Sequence, residues 1–138
     1  QRKLDRDGTP AAYPLGFGLG YTTFTITDLV VGRLGGERFE ASVTVTNTGP
    51  RPGRHVVQVY AMLPTDTGRL AHHLIGFRSV ALDPGISELV IVDCSIRPVQ
   101  RWVGGRFVLD DHTIIIRAAS YAGDPAALDS VLHPSGAR

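Results

Sequence analysis

Residues 39–46 alternate strictly: Phe39, Ala41, Val43 and Val45 fall on one side, Glu40, Ser42, Thr44 and Thr46 on the other. Side chains of a strand alternate with period two, so the pattern predicts a strand with one core face and one hydroxyl-rich face towards water. Asn47-Thr48-Gly49-Pro50 stops it, since Asn and Gly tolerate positive φ and Pro lacks the N–H that a ladder needs. A second strand resumes over 55–62, and the two read as a hairpin-like pair joined by a tight turn. With Val57, Val59 and Ala61 on the core, Val56, Gln58 and Tyr60 are expected to form an outer patch. Further β-rich runs lie at 22–31, with a break near Asp28, and at 74–82, 87–95, 106–109 and 113–119. In 87–95, Val90, Val92 and Cys94 share one face while Leu89, Ile91 and Asp93 share the other. Turn or loop signals separate these runs at 32–36, 64–70, Asp83-Pro84-Gly85, Arg97-Pro98 and Asp110-Asp111-His112.

No amphipathic helix is expected; the nearest candidate, 125–132, is too short to stand alone. After Tyr121 the chain is rich in Gly, Asp, Pro and Ala, with Val131 and Leu132 available for a short terminal strand. About seven short strands with regular turn signals predict an all-β sandwich. No Cys…Trp…Cys pattern is present, which excludes an antibody-type domain. Residues 1–20 read as a connector, with a turn at Asp7-Gly8-Thr9-Pro10. There Tyr13, Leu15, Phe17, Leu19 and Tyr21 are interleaved with glycines. The glycines cost too much entropy for an independent strand, so these apolar residues are expected to pack on a neighbouring domain that the chain lacks.

A length of 138 residues suits one domain with a real core. Fourteen basic residues against 13 acidic give a net charge of +1, which offers no field for nucleic acid or an anionic membrane. The single cysteine, Cys94, has no partner for an internal disulfide. No apolar run is long enough for a membrane-spanning helix. The first residues show no signal peptide, so cytoplasmic and secreted locations both stay open. Because Gln1 is not Met, the chain is expected to be a segment of a longer protein.

Three stretches carry a resemblance. YPLGFGLGYTTF (13–24) resembles the FPFGxGLSYTxF segment late in family 3 glycoside hydrolases of the β-glucosidase type. VTVTNTGPRPGRHVVQVYA (43–61) resembles VxVxNTGxxxGxEVVQLYV of the C-terminal domain of those enzymes, and LIGFRSVALDPGIS (74–87) resembles LxGFxKVxLxPGES. Order and spacing agree across nearly the whole chain. The resemblance implies an immunoglobulin-like, fibronectin type III-like Greek-key sandwich over 21–122, preceded by a junction segment (1–20) and followed by a tail (123–138). It also implies an accessory, structural role beside an α/β domain and a barrel domain, in a parent enzyme hydrolysing β-glycosidic bonds. No metal or cofactor is implied. The family's nucleophile and acid/base lie on those other domains, so no catalytic residue is carried over. A carbohydrate- or protein-binding sandwich module is the alternative. A free-standing adhesion domain would have no need of the junction segment.

Site candidates are few. The expected interdomain contacts are Tyr13, Leu15, Phe17, Leu19, Tyr21 and Tyr60. Trp102, the sole tryptophan, is either a core or interdomain anchor or a sugar-stacking platform. Asp110-Asp111 is the one adjacent acidic pair considered for glycoside chemistry, but neighbours in a turn do not flank a sugar. His55, His72, His73, His112 and His133 lack zinc-type spacing, and His72-His73 reads as an exposed loop. Gly16 to Gly20 lacks the strand–turn–helix setting of a phosphate loop, and Cys94 reads as a buried, inert thiol.

Overall fold

The computed structural model describes residues 2–32, 35–64, 72–109 and 113–133. The expected acidic pair Asp110-Asp111, with His112, lies outside the described residues. A short helix, α1 (Arg2–Asp7), opens the chain. Gly8 ends it with φ 67° while the Thr9 N–H returns to the Leu4 carbonyl at 2.9 Å, a six-to-one closure that needs the left-handed residue. The helix is additional to the sequence reading of a connector, and the turn expected at Asp7-Gly8-Thr9-Pro10 is where the helix stops.

Two antiparallel sheets follow. One holds β1 (Phe24–Val31), β2 (Arg38–Asn47) and β5 (Ser87–Ser95), in the order β1-β2-β5. The other holds β3 (Gly53–Met62), β4 (His73–Leu82), β8 (Ile114–Ala119) and β9 (Leu128–Leu132), in the order β4-β3-β8-β9. Between β5 and β8 a 3-10 turn (Arg97–Val99) leads to a separate hairpin of β6 (Arg101–Val103) and β7 (Arg106–Val108). The inner faces meet as the alternation requires. Phe39, Ala41, Val43 and Val45 pack with Val57, Val59 and Ala61, and with Val90, Val92, Cys94, Ile114 and Ile116.

Two expectations change and a third gains its physical form. First, β2 and β3 are not a hairpin: they belong to opposite sheets, and residues 48–52 arch between the layers. Pro50 and Pro52 have no N–H for a ladder, and the Asn47 side chain ties the arch to Leu82 of the other sheet. Second, β9 pairs along its length with β8, so the sheet extends past the expected boundary at residue 122, and the short terminal strand open to Val131 and Leu132 begins at Leu128. Third, the break near Asp28 is a bulge: the β1–β2 register shifts between Thr27 and Val30, and Asp28 has φ 59°.

Candidate interdomain surface

The segment after α1 crosses the outer face of the four-stranded sheet as a strap. Polar groups hold it. The Leu15 carbonyl accepts from the Ala122 N–H at 2.8 Å and lies 3.4 Å from the Tyr60 hydroxyl. That hydroxyl donates to Oε1 of Gln58, whose Nε2 donates to the Ser120 carbonyl at 2.8 Å. Gly16, with φ 83°, sits directly on the Gln58 carboxamide, and a Cβ there would collide with it. Tyr60 is completely buried, with Ala119 and Ala122 beside it and Leu74 and Ala127 packed against them. Burial pushes its pKa up to about 12, so the phenol stays a donor across the physiological range.

The expected outer patch of Val56, Gln58 and Tyr60 is therefore corrected. Val56 is exposed, but the chain's own strap and the 119–122 turn cover Gln58 and Tyr60. Tyr60 points neither into the sandwich nor to solvent, so it supports a surface rather than forming one. The five strap residues do reach the outside. Tyr13 is 76% exposed, Leu19 95% and Tyr21 92%, and Leu15 and Phe17 are partly open. Tyr13 stacks on Phe17 at 5.8 Å between centroids, and Phe17 meets Tyr121 edge-on at 5.3 Å.

Phe77, 68% exposed, was not legible as part of this face. It pairs in register with Gln58, on the sheet that carries the strap. Simple alternation gives Ile75 and Phe77 one side. The β3–β4 register shifts between Val59 and Tyr60, so Ile75 is buried, Phe77 is open, and Val80 and Leu82 are buried again. The bulge is invisible in a single strand's sequence, because it is a property of the pair.

Beneath the strap runs an open groove of about 340 Å³, bordered by Gly18, Gly20, Phe24, Arg54, His55 and Ser120. His55 is half-buried there. Its ring stacks on Phe24 at 4.9 Å and its Nε2 lies 3.4 Å from the Ser120 hydroxyl. Burial lowers its pKa from 6.5, opposed by the charge of Asp124.

His72 and His73 depart from the exposed-loop expectation, whereas His133 keeps to it. His73 is buried at the start of β4, and His72 is half-buried with its ring edge-on to Tyr60 at 5.6 Å; His133 is exposed. Among the described residues, no group of three or more His, Cys, Asp or Glu is placed to hold a metal ion. Cys94 is buried in the core, and burial raises its thiol to about 12, which leaves it unreactive. Trp102 is 60% exposed on β6 and meets Phe107 of β7 at 4.6 Å, so it is not a core anchor.

A family model described as "Fibronectin type III-like domain" matches residues 55–122. An exo-alpha-(1->6)-L-arabinopyranosidase of Bifidobacterium longum is 36% identical over 102 residues, 73% of this chain and 14% of that protein. A probable beta-glucosidase G of Emericella nidulans is 34% identical over 141 residues, covering 84% of this chain and 17% of that protein. Among solved structures, beta-glucosidase 3B of Thermotoga neapolitana superposes with a TM-score of 0.83 at 29% identity, over 98% of this chain and 19% of that one. The GH3 beta-glucosidase of Bifidobacterium adolescentis gives 0.81 at 28%, over 99% and 21%. The chain thus spans about one-seventh of the length of the first of these relatives. The sheet orders β1-β2-β5 and β4-β3-β8-β9 and these matches agree: the chain belongs to the fibronectin type III-like domains of family 3 glycoside hydrolases.

Proposed function

We propose that this domain is the structural accessory unit of a parent enzyme that hydrolyses β-glycosidic bonds, and that it docks on the catalytic domains through the strap face. One observation carries the reading: Tyr13, Phe17, Leu19, Tyr21 and Phe77 are open to solvent, and a buried polar network pins the base of the strap. Grouped exposed aromatics of this kind mark an interaction surface. The chain is not catalytic by itself. Glycoside hydrolysis takes two carboxylates set on either side of the scissile bond, and these belong to the domains the chain docks on.

The test is made in the intact parent. Leu19→Asp with Phe77→Asp should leave the isolated domain as stable as before, because both side chains are largely in water. The same pair in the full-length enzyme should lower its melting temperature and its turnover of an aryl β-glucoside. An unchanged parent enzyme, or turnover by the 138-residue chain alone, would overturn the proposal.

Carbohydrate is a second partner that we infer. It is favoured by the exposure of Trp102, on a hairpin outside both sheets.

A further inference from the structure

Three glycines alternate with apolar side chains along the strap, at positions 16, 18 and 20. Gly16 has a cause inside the chain: its φ is positive, and the Gln58 carboxamide occupies the space of a Cβ. A Cβ on Gly20 would rest against the Thr22 carbonyl at 3.4 Å. Gly18 has neither reason. Its φ is not positive, and among the described residues nothing lies within 4 Å of where its Cβ would be. With Gly20 it borders the groove of about 340 Å³ beneath the strap. Glycine loses more conformational freedom on folding than any other residue, and bare backbone is kept where another backbone comes close. The main chain here is also open. Among the described residues, no main-chain N–H or carbonyl of residues 18–21 is hydrogen-bonded within the chain, whereas the Leu15 carbonyl and the Phe17 N–H just before them are. On the same stretch Leu19 and Tyr21 stand almost wholly in solvent.

We propose that residues 18–21 and the groove they border receive a main-chain segment of one of the parent's catalytic domains, with Gly18 as the point of closest approach. The inference rests on the strap-face docking reading and names what that face grips. Open N–H and carbonyl groups on consecutive residues repeat with the spacing of another polypeptide. Main-chain hydrogen bonds of this kind supply affinity, while alternate side chains supply specificity. Leu19 and Tyr21, two apart, are those side chains; each suits an apolar pocket, which a polypeptide supplies and a hydroxyl-covered sugar does not. The polar groups of the groove agree. Gln58 is already committed to Tyr60 and Ser120. That leaves the exposed Arg54, and the Ser120 hydroxyl beside His55, to meet carbonyl oxygens. Asp124 does not compete for those donors, because its two carboxylate oxygens accept from the Ser120 and Ala126 N–H groups. A second copy of the chain would offer the same chemistry. In the relatives, however, the matching domain is only 14% or 19% of the polypeptide, so the remainder is tethered to it and outcompetes a second copy through its effective concentration.

Hydrogen exchange read by mass spectrometry tests the contact, on peptides covering residues 18–21 in the 138-residue chain and in the full-length parent. These amides should exchange close to the unprotected rate in the isolated chain, and about tenfold or more slowly in the parent. Gly18→Ala supplies a second readout. It should leave the melting temperature of the isolated chain unchanged, because its methyl enters open space. It should lower that of the parent by crowding the partner's backbone, and Gly18→Val should lower it further. Leu19→Asp with Phe77→Asp reads the docking itself. A parent destabilised by that pair but tolerant of both Gly18 variants would overturn the main-chain contact and leave the docking reading standing. A parent indifferent to all of them would overturn both. Amides 18–21 as open in the parent as in the isolated chain would also overturn the contact. Protection that is already present in the isolated chain and grows with its concentration would assign the groove to a second copy and overturn the proposed occupant.

Discussion

Asn47 fills all the hydrogen-bonding positions it has. Its Oδ1 accepts from the Thr22 hydroxyl at 2.7 Å and the Gly49 N–H at 3.1 Å. Its Nδ2 donates to the Arg51 and Leu82 carbonyls at 2.8 and 2.9 Å. Its backbone N–H reaches Ile86, and its carbonyl accepts from Gly85. The side chain is wholly buried, so truncation strands several partners at once. Asn47→Ala should cost roughly 2–4 kcal/mol, read from urea denaturation, since each unsatisfied buried group costs about 1–3 kcal/mol. In the sequence Asn47 is legible only as a strand stop; its side-chain partners lie up to 35 positions away along the chain. His55 makes a separate prediction. Burial lowers its folded pKa, so just below pH 6.5 the unfolded chain binds more protons than the folded one. Its contribution to stability is full above 6.5, falls as the pH drops from there, and levels off below the folded pKa. His55→Phe should flatten that slope in denaturation midpoints measured between pH 7 and 5. An unchanged slope would assign it to other groups.

At the scale of elements, glycines mark where two chain segments touch. Gly49 and Gly53 bracket the arch from β2 to β3 and lie against Thr22; a Cβ on Gly49 would come within 2.7 Å of the Thr23 nitrogen. This explains physically why the stretch 49–53 holds a glycine at each end, while its periodicity says only that a strand stops and another begins. The alternation of β2 and β5 was fully legible because each has one buried face. The partners of those strands were not, because pairing depends on contacts far apart in sequence. Gly76 on β4 shows the same logic between sheets. A Cβ there would lie 2.7 Å from the Asp93 carbonyl oxygen, 2.9 Å from the Cys94 sulfur and 3.0 Å from a Val92 methyl. Backbone is the hardest of these neighbours to move, so Gly76→Val should force β4 away from β5 and cost about 1–3 kcal/mol. The same variant should expose Cys94. A thiol reagent that reads slow labelling in the native protein should label the variant faster; equal rates would mean that the sheets absorb the side chain without opening.

For the whole molecule, the strap matters because its two halves behave differently. Leu15 and Gly16 are locked to Ala122, Tyr60 and Gln58, whereas Leu19 and Tyr21 project almost entirely into solvent. A segment that served only its own sandwich would turn such side chains inward, since each buried large apolar side chain contributes about 1.5–3 kcal/mol. The sequence signalled a surface-seeking segment through its glycine–aromatic interleaving, but not that the segment's first half is satisfied within the chain. Brief digestion with chymotrypsin separates the halves. The isolated chain should be cut first after Leu19 or Tyr21 and be spared after Leu15. Gly16→Ala should release the lock, through its strained φ and the collision with Gln58, and extend cutting to Phe17. In the intact parent enzyme all these bonds should resist. Cleavage first at Leu15 would mean that the polar network does not hold the strap. Protection of Tyr21 in the isolated chain would mean that the exposed half is covered without any second domain, and the strap face would lose its role as the contact.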